Sequence, residues 1–139
     1  MAMPIPSLLL KQLYTFGSLK NVESGVEFSM KNRLSDATLT GLRSLRINGE
    51  EVLKSLILID LGGENSLTPD QILKSPVSFP LKKTIDIKLE IDELAIGKHK
   101  LEIVFDTKPF GKLKVKVEDS ITEGEESVVR IPRSREDDY

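Results

Sequence analysis

The clearest pattern in the chain runs from residue 84 to residue 117. Over residues 84–91, Ile85, Ile87, Leu89 and Ile91 alternate with Thr84, Asp86, Lys88 and Glu90. Side chains of an extended chain point to opposite faces in turn, so this period of two predicts a β-strand with one buried and one wet face. The alternation resumes over residues 99–105 and again over residues 112–117, on either side of Lys108, Pro109, Phe110 and Gly111. Three strands joined by two connections predict an antiparallel sheet.

The same reading extends to the rest of the chain. Residues 1–7 carry two prolines and should be irregular, while Leu8, Leu9 and Leu10 fit either an added edge strand or one helical turn. Residues 13–20 and 26–31 predict a first hairpin, turned within residues 21–25, where Asn21 and Gly25 accept unusual backbone angles. Residues 32–40 are polar and read as a crossover between layers. The strand over residues 42–47 leads into Asn48 and Gly49, a strong hairpin signal. In the return over residues 51–61, the run Leu56, Ile57, Leu58, Ile59 predicts a strand covered on both faces. Thr68 is placed as a helix N-cap, with Pro69 at the first helical position and Asp70 beside it; Ser75 and Pro76 stop that helix after one or two turns.

Short strands, one helical turn and no long helical period predict an all-β fold: an immunoglobulin-like antiparallel β-sandwich of about seven to nine strands. Its expected core is Phe28, Ile47, Leu58, Ile85, Ile87, Leu89, Leu101, Ile103, Phe105, Val115 and Val117. The sandwich domain occupies residues 13–119, after an N-terminal segment over residues 1–12. Residues 120–139 form a charged tail, too poor in large apolar groups to offset the entropy of ordering.

Composition narrows the functional classes. Twenty basic residues against 22 acidic ones leave a formal charge of −2; nucleic acid is not an expected partner, because phosphate neutralisation needs a basic excess. There is no cysteine, hence no disulfide framework or thiolate chemistry, as suits a reducing cytoplasm. The opening residues lack a basic region and their apolar run ends at Lys11, so neither a leader nor membrane association is expected. Lys112, Lys114 and Lys116 form a row on one strand face that guards a sheet edge; the alternative role is an anionic ligand or an acidic partner surface.

His99 is the only histidine. Its parity with Leu101 and Ile103 makes it a ring capping the core; the alternative is a catalytic base. Gly-x-Ser-x-Gly, phosphate-loop and calcium-loop patterns are all absent from the sequence. No catalytic residue, metal site or cofactor is therefore expected. The candidate contacts to a partner are Asn32, Arg33 and Asp36 in the crossover, His99, and Val128, Val129, Arg130 and Ile131 in the apolar centre of the tail.

One order of features is familiar: a glycine-led strand from Gly25 to Met30, a polar crossover, the turn at Asn48, Gly49 and Glu50, a short Thr-Pro helix, and Gly97-x-His99-x-Leu101-x-Ile103. Over about residues 20–106 it resembles the small β-subunit family of C-glycoside deglycosidases. That resemblance implies a β-sandwich that assembles with a barrel subunit holding the metal and the catalytic histidine. The crossover departs from the family pattern, with Asn32, Arg33, Leu34, Ser35 and Asp36 where a tyrosine- and arginine-rich segment is expected. The chain thus reads as a non-catalytic β-sandwich subunit or binding module that associates with another protein, such as the larger subunit of a sugar- or glycoside-processing enzyme. The alternatives are a self-assembling structural β-protein, a homo-oligomer, or a small enzyme component with its own site near His99, Asn32 and Arg33.

Overall fold

The computed structural model describes residues 5–122. Within them two antiparallel sheets face each other. The first holds β1 (Lys20–Val22), β2 (Gly25–Lys31), β5 (Ile57–Asp60), β6 (Ser66–Leu67) and β8 (Thr84–Leu89), in the order β1-β2-β8-β5-β6. The second holds β3 (Ala37–Ile47), β4 (Glu50–Glu51), β9 (Gly97–Lys108) and β10 (Gly111–Ile121), in the order β10-β9-β3-β4. A further strand, β7 (Val77–Phe79), pairs with the first residues of β3. The expected antiparallel β-sandwich is the observed fold, with ten strands among the described residues where the sequence predicts about seven to nine, and with β3, β9 and β10 as long as 11, 12 and 11 residues.

Alternation places the core as predicted. Ile85, Ile87 and Leu89 of β8 face Leu101, Ile103 and Phe105 of β9 and Val115 and Val117 of β10 in one buried cluster with Phe28 and Ile47. Leu58 is the exception: β5 buries Ile57 and Ile59 and turns Leu58 outward, 36% exposed. The run of four apolar residues spans a 3₁₀ turn (Lys54–Leu56) and a half-buried strand, not one strand covered on both faces.

The structure also corrects the three-stranded sheet expected over residues 84–117. β8 pairs with β2 and β5, whereas β9 pairs with β3 and β10, so residues 90–96 carry the chain from one sheet to the other. A two-residue period fixes which face is buried and is silent about which strand lies alongside. The crossing loop is held by Asn21, whose Nδ2 donates to the Leu94 carbonyl at 2.9 Å while its Oδ1 accepts from the Leu94 N–H at 2.8 Å.

The first hairpin is shorter than expected. Its strands are β1 and β2, Lys20 pairs with Glu27, and the turn is at Glu23 and Ser24. Gly25 lies so close to β8 that a Cβ would stand 1.9 Å from the Leu89 carbonyl oxygen. The residues before β1 form a strap instead of a strand: helix α1 (Ser7–Leu10), a 3₁₀ turn (Lys11–Leu13), and a bend with Gly17 at φ 88°. The strap buries Leu10, Leu13, Tyr14 and Leu19 along the side of β10.

Two local signals appear as read. Asn48 and Gly49 both have positive φ, 52° and 87°, the twist that a two-residue hairpin requires. Helix α2 (Pro69–Lys74) starts at Thr68, whose hydroxyl accepts from the Gln71 N–H while the Gln71 side chain accepts from the Thr68 N–H, a capping box. Its Ile72 closes the gap between the sheets beside β3 and β5. At the other end, β10 continues to Ile121, past the boundary expected at residue 119.

Candidate functional site

The predicted contact residues fall at opposite ends of the sandwich. Asn32, Arg33 and Asp36 precede β3, whereas His99 lies beside the Asn48 turn that follows it. β3 is 11 residues long, which separates the two groups by about 33 Å at roughly 3.3 Å per residue. Val128, Val129, Arg130 and Ile131 lie outside the described residues.

Each of the described candidates is engaged with its own chain. Asn32 is 2% exposed. Its Nδ2 donates to the Ser35 and Phe79 carbonyls at 2.7 and 2.6 Å, and its Oδ1 accepts from the Leu34 and Ser35 N–H groups. Its own backbone meets Lys82 and Lys83, so one amide ties β2, the crossover and the β7–β8 loop together. Asp36 accepts from the Leu81 N–H at 2.8 Å in the same loop. Arg33 reaches the strap, donating to the Gln12 and Tyr14 carbonyls and to Thr15 Oγ1.

His99 is buried, as its parity requires, and both ring nitrogens are occupied. Nε2 lies 2.7 Å from the Ala95 carbonyl, which can only accept, so Nε2 carries the proton there; Nδ1 then accepts from Asn48 Nδ2 at 2.9 Å. Asn48 Oδ1 in turn accepts from the Lys100 N–H. The ring joins the β3–β4 turn to the start of β9 and has no nitrogen left for an incoming group. Among the described residues, three or more histidine, cysteine or acidic side chains nowhere come together as a metal site.

Sequence reasoning missed a carboxylate hub. Asp119 has inward parity with Val115 and Val117, and its Oδ2 accepts from the Tyr14 hydroxyl at 2.7 Å, the Gly17 N–H at 2.9 Å and the Leu19 N–H at 3.3 Å. Burial, then the hydrogen bond to this carboxylate, pushes the Tyr14 phenol well above the ordinary tyrosine range. Asp119 and Arg33 thus hold the strap from two sides. An acid at an inward position was the available signal.

A cleft of about 430 Å³ lies on the outer face of the second sheet. Its charged lining is Lys11 of the strap, Arg46 of β3, Lys100 and Glu102 of β9, and Lys116 and Glu118 of β10, with Gly49 at the rim. Four cations against two carboxylates give the cleft a local charge of +2 on a chain whose formal charge is −2. Strand alternation explains the convergence: the outward positions of β9 and β10 pair Lys116 with Glu102 and Glu118 with Lys100.

No helix among the described residues is long and apolar enough to cross a membrane. The family model described as "Hydroxymethylglutaryl-CoA reductase, N-terminal domain" matches residues 9–122 of the chain. No curated protein matches it.

Proposed function

The chain belongs to the hydroxymethylglutaryl-CoA reductase N-terminal domain family, and on that premise we propose that it is a non-catalytic module acting beside the catalytic body of such a reductase. That body is either continuous with this chain or a separate, larger partner. The observation that carries the reading is the extent of the match, because residues 9–122 take in all ten strands and both anchors of the strap. The occupied ring of His99 supports it too, since a general base needs a nitrogen within reach of substrate.

The test is a native-mass measurement on the protein from its own source, with the same chain expressed alone for comparison. A species that carries this sandwich together with a body turning over hydroxymethylglutaryl-CoA is the expected result, with turnover unchanged by His99→Ala. Assemblies made only of copies of this chain, or loss of turnover in a folded His99→Ala protein, would overturn the reading.

A further inference from the structure

We propose that the cationic cleft on the outer face of the second sheet binds a small phosphoanion carrying at least two phosphoryl groups. Its cations arrive from four separate segments, the strap, β3, β9 and β10. Edge protection by a row of lysines on one strand does not require that convergence. Lys100 and Lys116 sit on neighbouring strands as diagonal neighbours, because each faces the other's carboxylate neighbour in the register. Each lysine faces a carboxylate directly across the register, Lys100 with Glu118 and Lys116 with Glu102, which tempers the positive charge of the cleft without cancelling it. Among the described residues, the ammonium groups of Lys11, Lys100 and Lys116 have no carboxylate within 4.0 Å, while Arg46 reaches Glu51 at 3.7 Å and Glu102 is shared with Lys114 at 4.0 Å. The cleft thus keeps a surplus of positive charge for an anion to meet.

Size and spread select the ligand. A volume of about 430 Å³ lies in the range of pockets for small molecules, and a concave wall favours such a ligand over the flat face of an acidic protein. Arg46 on β3 and Lys116 on β10 are separated by β9, about 10 Å at two inter-strand spacings. Two linked phosphoryl groups cover more of that span than one does, and the long Arg46 and Lys116 side chains close the remainder. Lysines suit phosphate as point charges on flexible stems. The inference holds whether or not the chain acts beside a reductase body.

The test uses the whole chain, ¹⁵N-labelled, titrated at about 150 mM salt with pyrophosphate, with ADP and with an oligoglutamate peptide. Saturating shifts confined to Lys11, Arg46, Gly49, residues 100–102 and residues 116–118 are expected with the phosphoanions. Lys100→Gln with Lys116→Gln should weaken binding at least about tenfold, and Lys98→Gln with Lys112→Gln, an equal loss of exposed charge outside the cleft, should not. Equal affinity for pyrophosphate and ADP assigns recognition to the diphosphate alone; tighter ADP adds a nucleoside contact. The proposal is overturned by shifts that do not saturate, by equal weakening in both double variants, or by tighter binding of the peptide than of either phosphoanion.

Discussion

The hydroxyl of Tyr14 donates to the carboxylate of Asp119 at 2.7 Å, across 105 residues of chain. The same oxygen collects the Gly17 and Leu19 N–H groups, so one side chain of the last strand holds most of the strap. Asp119→Ala leaves those three donors without their acceptor, and urea unfolding should register a loss of about 2–4 kcal/mol. Tyr14→Phe removes one hydrogen bond and should lose about 1 kcal/mol. Unchanged midpoints in both would remove the latch from the account.

The raised pKa of Tyr14 gives a pH signature. The unfolded phenol ionises near its ordinary value of about 10, while the folded phenol keeps its proton to higher pH. The folded state then binds more protons, and stability falls as pH rises above that value. Stability measured from pH 8 to pH 11 should fall more steeply in the wild type than in Tyr14→Phe; parallel curves would contradict the assignment.

Asn32 separates shape from chemistry. Asn32→Asp is nearly isosteric but turns a carboxylate towards the Ser35 and Phe79 carbonyls, where the amide now donates. It should lower the melting temperature more than Asn32→Ala, although both leave buried groups unpaired at roughly 1–3 kcal/mol each. The reverse order would mean that the site has room to turn the side chain around.

Two glycines should respond differently to a methyl group. At Gly49 a Cβ meets nothing within 4 Å, so Gly49→Ala bears only the strain of its positive φ, about 1–2 kcal/mol. Gly25→Ala forces β2 away from the Leu89 carbonyl, and should lose several times as much or fail to give folded protein. Similar soluble yields and melting temperatures for the two would argue against the close approach of β2 and β8.

Asp60 supplies an acid-side measurement. The Gly62 N–H, and after it Lys88 at 3.2 Å, hold its carboxyl below the usual range. A depressed folded value stabilises above the unfolded pKa, and that contribution disappears as pH falls through the folded value. The stability difference between the wild type and Asp60→Asn should therefore be present at pH 7 and shrink towards pH 3. A difference independent of pH would indicate lost packing instead.

Much of this architecture is legible in the alternation of residues. The inward sides of β8, β9 and β10, the Asn48 turn and the Thr68 cap need only local rules. The sheet to which β8 belongs does not follow from such rules, because Ile85, Ile87 and Leu89 would bury equally well beside β9. Asn32 and His99 stand out in the sequence as polar residues in unusual places. What each touches, Phe79 from 47 residues away and Asn48 from 51, depends on how the layers close. Tyr14 and Phe16 have strand-like propensity, yet the Asp119 carboxylate draws Tyr14 and the backbone of Gly17 and Leu19 into a bend. Of the lysine row on β10 only Lys116 lines the cationic cleft; its other cations are Arg46, Lys100 and Lys11, which only the register and the strap bring alongside.

β9 and β10 share an unbroken ladder of pairs from Gly111 with Thr107 to Ile121 with Gly97, and β3 borders β9 on its other flank. A hairpin closed by so short a turn zips from its tip with little loss of chain freedom at each step. The anchors of the strap exist only after both layers are in place, since Arg33 leaves the first sheet and Asp119 belongs to the second. Among the described residues, the central amides of that ladder should be the slowest to exchange with deuterium, and residues 7–19 should open to a protease before either sheet does.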